Sequence, residues 1–461
     1  MKENIDIWRD ENGVPHVEAD NLADLYWGQG YVHATDRGLQ MLLMRILGQG
    51  RLCELIDDSD ASLAIDVFFR KMNWCGHVKD AVNALPEETQ QLVASYAHGI
   101  STAFAQRYPW ELKLLGYTPE PWKAEDIITL TRMVGYLTLS QSQAEIERLL
   151  MEMRQAGVSQ AHLDELFPGH LGGLDMDLLK KVSLQERVVP PDALWQTAAP
   201  RMMASNNWVI SGAKTVSGKP ILSNDPHLEV NRLPNIWCEI VLKIKDQFAM
   251  GATMPGFPGI LTGRTRNIAW GVTYAFIDAI DSWVEKCKDG QYYREEGDQW
   301  IPFSQRRETI LRKKNPPQEV IFYENDHGVL DGDPETEGYY LTTRWSADKS
   351  GAVSLEHYLH MWHVATVQEA MDTLGRQESA WSFVFADING DIGFQMSGLV
   401  PVRREGVSGL VPLPGWDKAN DWRGFVSHED LPRALNPDQG FFATANHDLN
   451  AFGKVAPINM P

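Results

Sequence analysis

The chain has 461 residues, of which 43% are apolar and 23% are charged. These proportions are ordinary for a globular protein and argue against intrinsic disorder. The formal net charge of −20 makes nucleic acid an unfavourable partner, and the sequence has no run of about 18 apolar residues that could span a membrane. We therefore expect neither nucleic acid nor a membrane among the partners of this protein.

The cysteines and the N-terminus bear on the compartment. The four cysteines form no CxxC pair, which argues against a disulfide scaffold or a zinc ribbon. The first residues of the chain lack the apolar region of a secretory signal. This pattern favours a cytoplasmic protein, with a periplasmic location as the alternative if a leader has been removed.

The first part of the chain has the pattern of helices. Apolar side chains recur at four-residue intervals, at Leu92, Tyr96, Ile100 and Phe104. This spacing predicts one face of an amphipathic helix. A second helical stretch is predicted from about residue 125 to 152.

After residue 205 the pattern changes to that of strands. Apolar side chains alternate with other residues at Ile236, Cys238, Ile240, Leu242 and Ile244. A period of two predicts a half-buried strand. The dipeptide Asp289-Gly290 predicts a hairpin turn further along.

These patterns divide the chain into three parts. A helical part covers residues 1–180, a linker covers 181–204, and a strand-rich part covers 205–461. Paired charges, two consecutive prolines and an alanine-rich run indicate that the linker is exposed. The predicted fold class is α+β.

The linker ends at the segment Ala204-Ser205-Asn206-Asn207. A backbone cut before Ser205 would leave a hydroxyl group and a free α-amine on one residue. The unperturbed pKa of an α-amine is roughly 7.7–8.0, so this amine can be neutral near physiological pH and accept the hydroxyl proton. A serine buried in a turn is the alternative interpretation.

Several longer motifs follow one another along the chain. They are Arg9-Asp10-Glu11-Asn12-Gly13-Val14-Pro15-His16, Gly28-Gln29-Gly30-Tyr31-Val32-His33-Ala34-Thr35-Asp36-Arg37, Ser223-Asn224-Asp225-Pro226-His227, Ala269-Trp270-Gly271-Val272-Thr273 and Thr444-Ala445-Asn446. With them, nearly the whole chain resembles the penicillin acylase family of N-terminal nucleophile hydrolases, which includes acyl-homoserine lactone acylases and cephalosporin acylases. The resemblance implies a four-layer αββα sandwich.

The resemblance also implies the roles of particular residues. Ser205 would be the nucleophile, and the bond between Ala204 and Ser205 the site of autocatalytic cleavage. His227 lies where the lactone and cephalosporin acylases have a histidine, which implies a role near the Ser205 amine. The backbone N–H of Tyr274 and the side-chain amide of Asn446 would form the oxyanion hole. A histidine and an asparagine that merely complete turns are the alternatives.

Some members of this family bind a structural calcium ion, which as a hard cation prefers several oxygen ligands. The positions that match its ligands are Glu145, Asp278, the backbone carbonyl of Ile280, and Asp281. A further aspartate of the family falls near Pro457 and has no counterpart here. Solvated surface carboxylates are the alternative interpretation. The resemblance implies no organic cofactor.

The acyl-binding pocket of the family matches five positions of this chain: Thr138, Leu139, Leu228, Leu261 and Val272. Leu261 stands where a cephalosporin acylase has an arginine for the carboxylate of its acyl group. An apolar wall without that charge should reject a carboxylate, because burying an unpaired charge is costly. We therefore expect a neutral aliphatic or arylalkyl acyl chain.

The predicted function is an amide hydrolase that is made as a zymogen and removes the acyl group from an N-acyl substrate, such as a β-lactam antibiotic or an N-acyl-homoserine lactone. The α and β chains of one precursor would remain partners after processing. The chain stops sooner after Asn446 than family members do, so a truncated, unprocessed member that binds acyl ligands without turnover is the alternative. A carbohydrate-binding protein that uses its 16 tryptophans is a third interpretation.

Overall fold

The computed structural model describes residues 4–185, 205–227 and 235–447, apart from the side chains of residues 138, 139, 141 and 142. It is a mixed structure of helices and sheets. Helices dominate the first of these ranges and strands the other two. Most of the predicted linker, with Ala204 at its end, and Leu228 lie outside the described residues.

The helices occur in two groups. Those of the first range are α1 (Leu22–Gly48), α2 (Leu52–Leu55), α3 (Asp60–Met72), α4 (Val78–Asn83), α5 (Glu87–Gln106), α6 (Trp110–Leu114), α7 (Ala124–Gly135), a π-helical turn (Tyr136–Ser140), α8 (Gln141–Gln155), α9 (Gln160–Leu166) and α10 (Met176–Leu179). Those among the strands are α11 (Ala352–His360) and α12 (Val367–Leu374), with short 3-10 turns at Gly212–Lys214 and Lys418–Asn420.

Helices α1 and α5 pack closely because glycine lies where their backbones meet. A Cβ atom on Gly30 would lie 2.2 Å from the carbonyl oxygen of Tyr96, and one on Gly99 would lie 2.0 Å from that of Trp27. These distances are far shorter than a van der Waals contact, so no larger residue fits at either position. Gly30 of the second motif therefore serves helix packing.

Two buried polar side chains tie α1 to the strand-rich part. His33 lies between the hydroxyl groups of Tyr96, at 2.7 Å, and Thr253, at 2.8 Å. The side-chain amide of Gln29 exchanges two hydrogen bonds with the backbone of Gly259, at 2.9 and 3.0 Å. Burial lowers the pKa of His33 to about 3, so its imidazole is neutral.

The strands belong to three sheets. They are β1 (Ile5–Arg9), β2 (Pro15–Ala19), β3 (Ser205–Ile210), β4 (Ile221–Pro226), β5 (Cys238–Ile244), β6 (Gln247–Thr253), β7 (Thr262–Thr265), β8 (Ile268–Tyr274), β9 (Ile280–Lys288), β10 (Gln291–Arg294), β11 (Gln299–Pro302), β12 (Ser304–Ile310), β13 (Gln318–Asn325), β14 (Gly328–Asp331), β15 (Gly338–Trp345), β16 (Trp381–Asp387), β17 (Ile392–Met396), β18 (Leu413–Pro414), β19 (Arg433–Leu435) and β20 (Phe441–Thr444).

The largest sheet has nine strands in the order β1-β2-β5-β6-β7-β8-β16-β17-β19. Its pairs are antiparallel except for β2 with β5. A second sheet has eight strands, in the order β11-β10-β9-β15-β14-β13-β12 with β18 beside β9. The main hydrophobic core lies between the nine-stranded sheet and the helices that pack on it.

A small sheet with the order β20-β3-β4 packs against the nine-stranded sheet. In its register, Ser205 lies opposite Pro226 and Asn207 lies opposite Thr444. Strand β3 contacts β8 and β16, and the side-chain amide of Asn207 donates to the backbone of Ser382 in β16 at 3.3 Å. The small sheet therefore brings Ser205 to the end of β8.

The local sequence predictions can be compared with these elements. The helix predicted from the four-residue spacing is α5, and the strand predicted from alternation is β5, so both are confirmed. The hairpin at Asp289-Gly290 is confirmed too, with φ of 51° and 73° at its two residues. The helix predicted over 125–152 is confirmed as α7 and α8, but a π-helical turn separates them. In the described parts of the chain, no helix is long and apolar enough to cross a membrane.

Candidate active site

Ser205 is the first residue of β3 and is 3% exposed. Because alternate residues of a strand face the same side, Ser205 shares its inward face with Asn207 and Val209. Its backbone nitrogen donates to Oδ1 of Asn446 at 2.6 Å, and its Oγ accepts from the backbone N–H of His227 at 3.1 Å. Both atoms that the predicted chemistry uses are therefore held by hydrogen bonds.

Asn446 reaches Ser205 from the end of β20, the strand beside β3. Its backbone φ is 63°, a left-handed conformation that asparagine adopts more readily than most residues. While its Oδ1 accepts from Ser205, its Nδ2 donates to the carbonyl oxygen of Tyr274 at 2.7 Å. One side-chain amide thus joins the nitrogen of Ser205 to the end of β8.

The backbone N–H of Tyr274 points to the same edge of β8. The N–H of the next residue, Ala275, donates to the carbonyl oxygen of Ala380 at 3.1 Å, on the side of β16. In an antiparallel pair, successive residues direct their N–H and C=O groups to opposite sides. The backbone N–H and C=O groups of Tyr274 therefore point away from β16, to the edge of β8 where Asn446 lies. The predicted oxyanion donor is needed at this edge.

A second asparagine, Asn224 of β4, binds this edge two residues earlier. Its Nδ2 donates to the carbonyl oxygen of Val272 at 2.9 Å, and its Oδ1 accepts from the N–H of Val272 at 3.2 Å and from Oγ1 of Thr262 at 2.7 Å. The side-chain amide of Asn224 thus makes the two hydrogen bonds with Val272 that the backbone of a neighbouring strand would otherwise make. Sequence reasoning missed this role, because the motif that contains Asn224 does not reveal which strand it faces.

The inward face of the small sheet also carries a network of neutral polar groups that sequence reasoning missed. Oγ1 of Thr444 donates to Oδ1 of Asn207 and lies 2.8 Å from Oγ1 of Thr273. The network joins β20, β3 and β8, so it fixes the small sheet against the nine-stranded sheet. Each contact in it pairs a hydroxyl or amide group with another neutral group.

His227 contributes its backbone rather than its ring to Ser205. Its imidazole Nε2 lies 2.8 Å from a carboxylate oxygen of Asp225. The side chains of His227 and Asp225 are 44% and 68% exposed, so the pair lies at the rim of the site. The sequence predicted a role for His227 near the amine, and the structure places its N–H on Oγ with the ring turned to Asp225.

An apolar cavity of about 50 Å³ lies beside the end of β8. Its wall includes Leu130, Val134, Gly135, Leu261, Tyr358 and Trp381. The ring of Trp381 lies 5.2 Å from that of Tyr274, which connects the cavity to the strand end that Asn446 binds. The described residues that line the cavity are all uncharged.

The predicted pocket positions that the structure describes lie in different surroundings. Leu261 lines the apolar cavity, whereas Val272 is buried in β8 with its backbone bound by Asn224. Thr138 and Leu139 lie in the π-helical turn that follows the cavity wall, and their side chains are outside the described set. Leu228 is also outside it.

The structure brings three of the predicted calcium ligands together: Asp278, Ile280 and Asp281. The fourth, Glu145, lines a separate cavity of about 720 Å³. The helix explains the difference, because Gln143 and Glu147 are one turn apart on the inner face of α8 and Glu145 lies between them on the other side. Among the described residues, no group of three or more acidic, histidine or cysteine side chains is arranged to hold a metal ion.

A model of the family described as penicillin amidase matches residues 4–459. The chain belongs to the penicillin amidase family. Among curated relatives, it is 31% identical to acyl-homoserine lactone acylase QuiP of Pseudomonas aeruginosa, over 97% of this chain and 55% of the relative. It is 30% identical to penicillin acylase 2 proenzyme of Pseudomonas sp. (strain SE83), over 96% of this chain and 58% of the relative.

Penicillin G acylase of Escherichia coli is 26% identical, over 96% of this chain and 59% of the relative. Among solved structures, a thermostable penicillin G acylase from Alcaligenes faecalis matches with a TM-score of 0.50 and 24% identity, over 55% of this chain and 46% of that chain. This match shows a likeness of fold. The chain spans little more than half the length of the curated relatives it matches.

Proposed function

We propose that this protein is an amide hydrolase that uses Ser205 as an N-terminal nucleophile. The observation that carries the proposal is the pair of hydrogen bonds at Ser205, from its nitrogen to Asn446 and from the His227 N–H to its Oγ. Membership of the penicillin amidase family supports the hydrolysis of an amide bond. The names of the relatives, acyl-homoserine lactone acylase and penicillin acylase, support an N-acyl substrate.

The first step of the proposal is processing. Cleavage of the bond between Ala204 and Ser205 converts a zymogen into an α chain, which carries the helices α1 to α10, and a β chain that begins at Ser205. The two chains remain partners because the main hydrophobic core is built from both. Cleavage also turns the amide nitrogen of Ser205, which is not basic, into an amine that can accept a proton.

The amine then serves as the base for its own side chain. It takes the proton from Oγ–H as Oγ attacks the carbonyl carbon of the substrate, and the tetrahedral intermediate collapses with cleavage of its C–N bond. The amine of Ser205 returns the proton to the leaving nitrogen. Water, activated by the same amine, attacks the acyl-serine ester, which releases the carboxylic acid and restores Oγ–H.

The neutral surroundings of Ser205 suit this role. Its nitrogen is buried and contacts the amide oxygen of Asn446 rather than a carboxylate. Burial without an opposite charge disfavours the ammonium form and keeps the amine available as a base. The amide oxygen still accepts one N–H bond, which orients the lone pair of the amine relative to Oγ.

The end of β8 would stabilise the oxyanion. The N–H of Tyr274 points to the edge that Asn446 binds. The Nδ2 group of Asn446 has two N–H bonds, of which one is directed at the carbonyl oxygen of Tyr274 and the second can meet the oxyanion. Two donors held by a sheet are already in place when the charge develops.

The proposed substrate has a neutral, apolar acyl group. The cavity beside Trp381 and Leu261 is lined by uncharged residues, so it offers no partner to a carboxylate. It lies next to Tyr274, where the carbonyl carbon of the substrate would be held. The leaving amine would be a β-lactam nucleus or a homoserine lactone, in keeping with the names of the relatives.

The proposal includes the four-layer αββα sandwich of the N-terminal nucleophile hydrolases. The small sheet and the nine-stranded sheet would be its two inner layers, since β3 and β4 pack on β8. Helices α1 and α5 would belong to one outer layer. Such a fold places the first residue of an inner strand, here Ser205, at the mouth of the site.

Intact mass spectrometry under denaturing conditions, together with an assay of acid release from N-acyl amides, tests this function. The native protein is expected to give two chains, the second beginning at Ser205, and to hydrolyse neutral acyl amides in preference to glutaryl amides. Ser205→Ala is expected to remain a single chain without activity.

Ser217→Ala is the matched control, because Ser217 is exposed in the turn between β3 and β4. It is expected to behave as the native protein. Hydrolysis retained by Ser205→Ala would contradict the assignment of the nucleophile. A native protein that stays uncut but binds acyl amides would favour the ligand-binding alternative.

A further inference from the structure

Asp278 and Asp281 flank the start of β9 and share a single cation, the guanidinium group of Arg403. Nε of Arg403 lies 2.8 Å from Oδ2 of Asp281, and its NH2 group lies 2.9 Å from Oδ1 of the same carboxylate. This is the two-pronged geometry that makes arginine–carboxylate pairs strong. The NH2 group also donates to Oδ1 and to the backbone oxygen of Asp278, at 3.1 and 3.0 Å.

Neutral N–H groups occupy the remaining sides of the two carboxylates. The backbone N–H of Gly409 donates to Oδ2 of Asp278 at 2.9 Å, and the indole N–H of Trp422 donates to Oδ2 of Asp281 at 2.5 Å. The side-chain amide of Gln143 donates to Oδ1 of Asp278. Each of the four carboxylate oxygens therefore accepts at least one hydrogen bond from an N–H group.

The third predicted ligand is engaged in the same way. The carbonyl oxygen of Ile280 accepts from the side-chain amide of Gln143 at 3.0 Å, and Oε1 of that amide accepts from the N–H of Ala279 at 2.9 Å. Gln143 therefore points a donor, and not an oxygen ligand, at the centre of the cluster. It occupies the inner face of α8, from which Glu145 is turned away.

This donor set does not fit a calcium ion. Calcium takes six to eight oxygen ligands whose lone pairs all point to one centre. Here the oxygens of Asp278, Ile280 and Asp281 direct lone pairs to N–H groups, and a fixed positive charge already lies between the carboxylates. There is also no spare space at Gly409, where a Cβ atom would come within 2.2 Å of Asp278.

We propose that the guanidinium group of Arg403 replaces the calcium ion at this position and makes the structure independent of a metal. Arg403 comes from the segment after β17, so it joins that segment to Asp278 in the turn between β8 and β9 and to Asp281 in β9. The inference does not depend on the proposed reaction.

The full chain can be tested for metal dependence without any variant. Thermal unfolding is measured in EDTA and in calcium chloride, and terbium luminescence is measured with excitation of tryptophan, because Trp422 contacts Asp281. The melting temperature is expected to be the same in both solutions. A melting temperature that rises with calcium in the native protein but not in Asp281→Asn would overturn the inference.

Variants of Arg403 test the replacement directly. Arg403→Met is expected to lower the melting temperature by at least about 5 °C, because it leaves two buried carboxylates without their cation. Arg403→Lys keeps the charge but loses the two-pronged contact with Asp281, and is expected to lower the melting temperature less. Arg423→Met is the control, since it removes the same charge from an exposed side chain of the same region and should leave the melting temperature unchanged.

The terbium signal separates cation replacement from a purely structural role. Removing the guanidinium group leaves two carboxylates that attract a cation, so Arg403→Met is expected to give sensitised terbium emission that the native protein lacks. Equal emission from the two proteins, at any level, would overturn the inference. So would an Arg403→Met protein that unfolds at the native temperature.

Discussion

The surroundings of Ser205 and the interior of the eight-stranded sheet contain opposite kinds of polar group. The nitrogen of Ser205 contacts the neutral amide of Asn446. In the eight-stranded sheet, Glu285 is fully buried, and its carboxylate accepts from Arg294 at 2.7 Å and lies 2.8 Å from Nδ1 of His327. The hydrogen-bond partners of Ser205 are neutral groups, whereas the carboxylate of Glu285 is bound by Arg294 and His327.

This difference shows that burial affects an ionisable group in two ways, which depend on whether the neighbouring groups are neutral or charged. A buried amine beside neutral groups loses the stabilisation of its charged form and remains a base. A buried carboxylate with cationic partners is held ionised, and the partners are held with it. For Glu285, burial alone would raise the pKa, but His327 and Arg294 lower it to about 2.

Removing the buried carboxylate is expected to have the largest effect. Glu285→Leu leaves the largely buried guanidinium group of Arg294 without its counter-charge and removes one of the two carboxylate partners of His327, and we expect the free energy of unfolding to fall by about 3–5 kcal/mol. Chemical denaturation measures this loss. The control is Glu296→Gln, which breaks an ion pair with Lys418 whose two side chains are about 70% exposed and should change little. Equal losses for the two variants would show that the buried cluster contributes nothing special.

Introducing a charge beside Ser205 tests the other region. Asn446→Asp keeps the shape of the side chain but puts a carboxylate on the nitrogen of Ser205 and removes the donor to Tyr274. We expect kcat to fall by about 10²–10³-fold, the usual effect of losing one oxyanion donor. Steady-state kinetics on a neutral acyl amide measures it.

Asn73→Asp is the matched control for that variant. Asn73 also has a left-handed backbone, with φ of 53°, but it ends α3 and makes no contact with Ser205. The control is expected to keep native kcat. If both variants lost activity equally, the effect would come from the added charge in general, and the role of Asn446 would be refuted.

Two histidines are expected to have smaller effects on stability, and these effects depend on pH in opposite directions. Burial alone would lower the pKa of His327, but hydrogen bonds with Asp421 and Glu285 raise it above its ordinary value. Its contribution to stability is therefore complete below about pH 6.5 and is lost as the pH rises through the raised pKa. His33 has a pKa of about 3, so its unfolded form binds protons below about pH 6.5 and stability is lost as the pH falls.

The pH dependence of unfolding in His327→Gln and His33→Gln separates the two effects. His327→Gln is expected to remove a loss of stability on the alkaline side, and His33→Gln a loss on the acidic side. Each slope is at most about 1.4 kcal/mol per pH unit. A His327→Gln variant with the native slope above neutral pH would mean that this imidazole is not the charged partner of Glu285.

The local elements were predictable because their patterns are local. The spacing from Leu92 to Phe104 predicts α5, since burying one face of a helix needs an apolar residue at every turn. The π-helical turn between α7 and α8 was not predictable, because the apolar pattern continues across it. Its position depends on what the helix packs against, and it lies next to the wall of the apolar cavity.

The candidate site was predictable only in part. Family motifs identified Ser205 and Asn446, which are 241 residues apart and within 2.6 Å in the structure. They did not reveal that Asn224 binds the edge of β8, because that depends on the register of β4. They also pointed to calcium at Asp278 and Asp281, where the fold brings in an arginine from a distant segment.

The sequence by itself determined the periodic helices and strands and the serine that follows the linker, since each follows from residue type and spacing, whereas the pocket position of Leu261 was implied by the family resemblance. The tertiary structure decided which groups meet. The small sheet sets Asn446 and His227 on Ser205, and the segment after β17 sets Arg403 between two carboxylates. Contacts of this kind depend on sheet order and on packing between segments far apart in the chain, which no local pattern records.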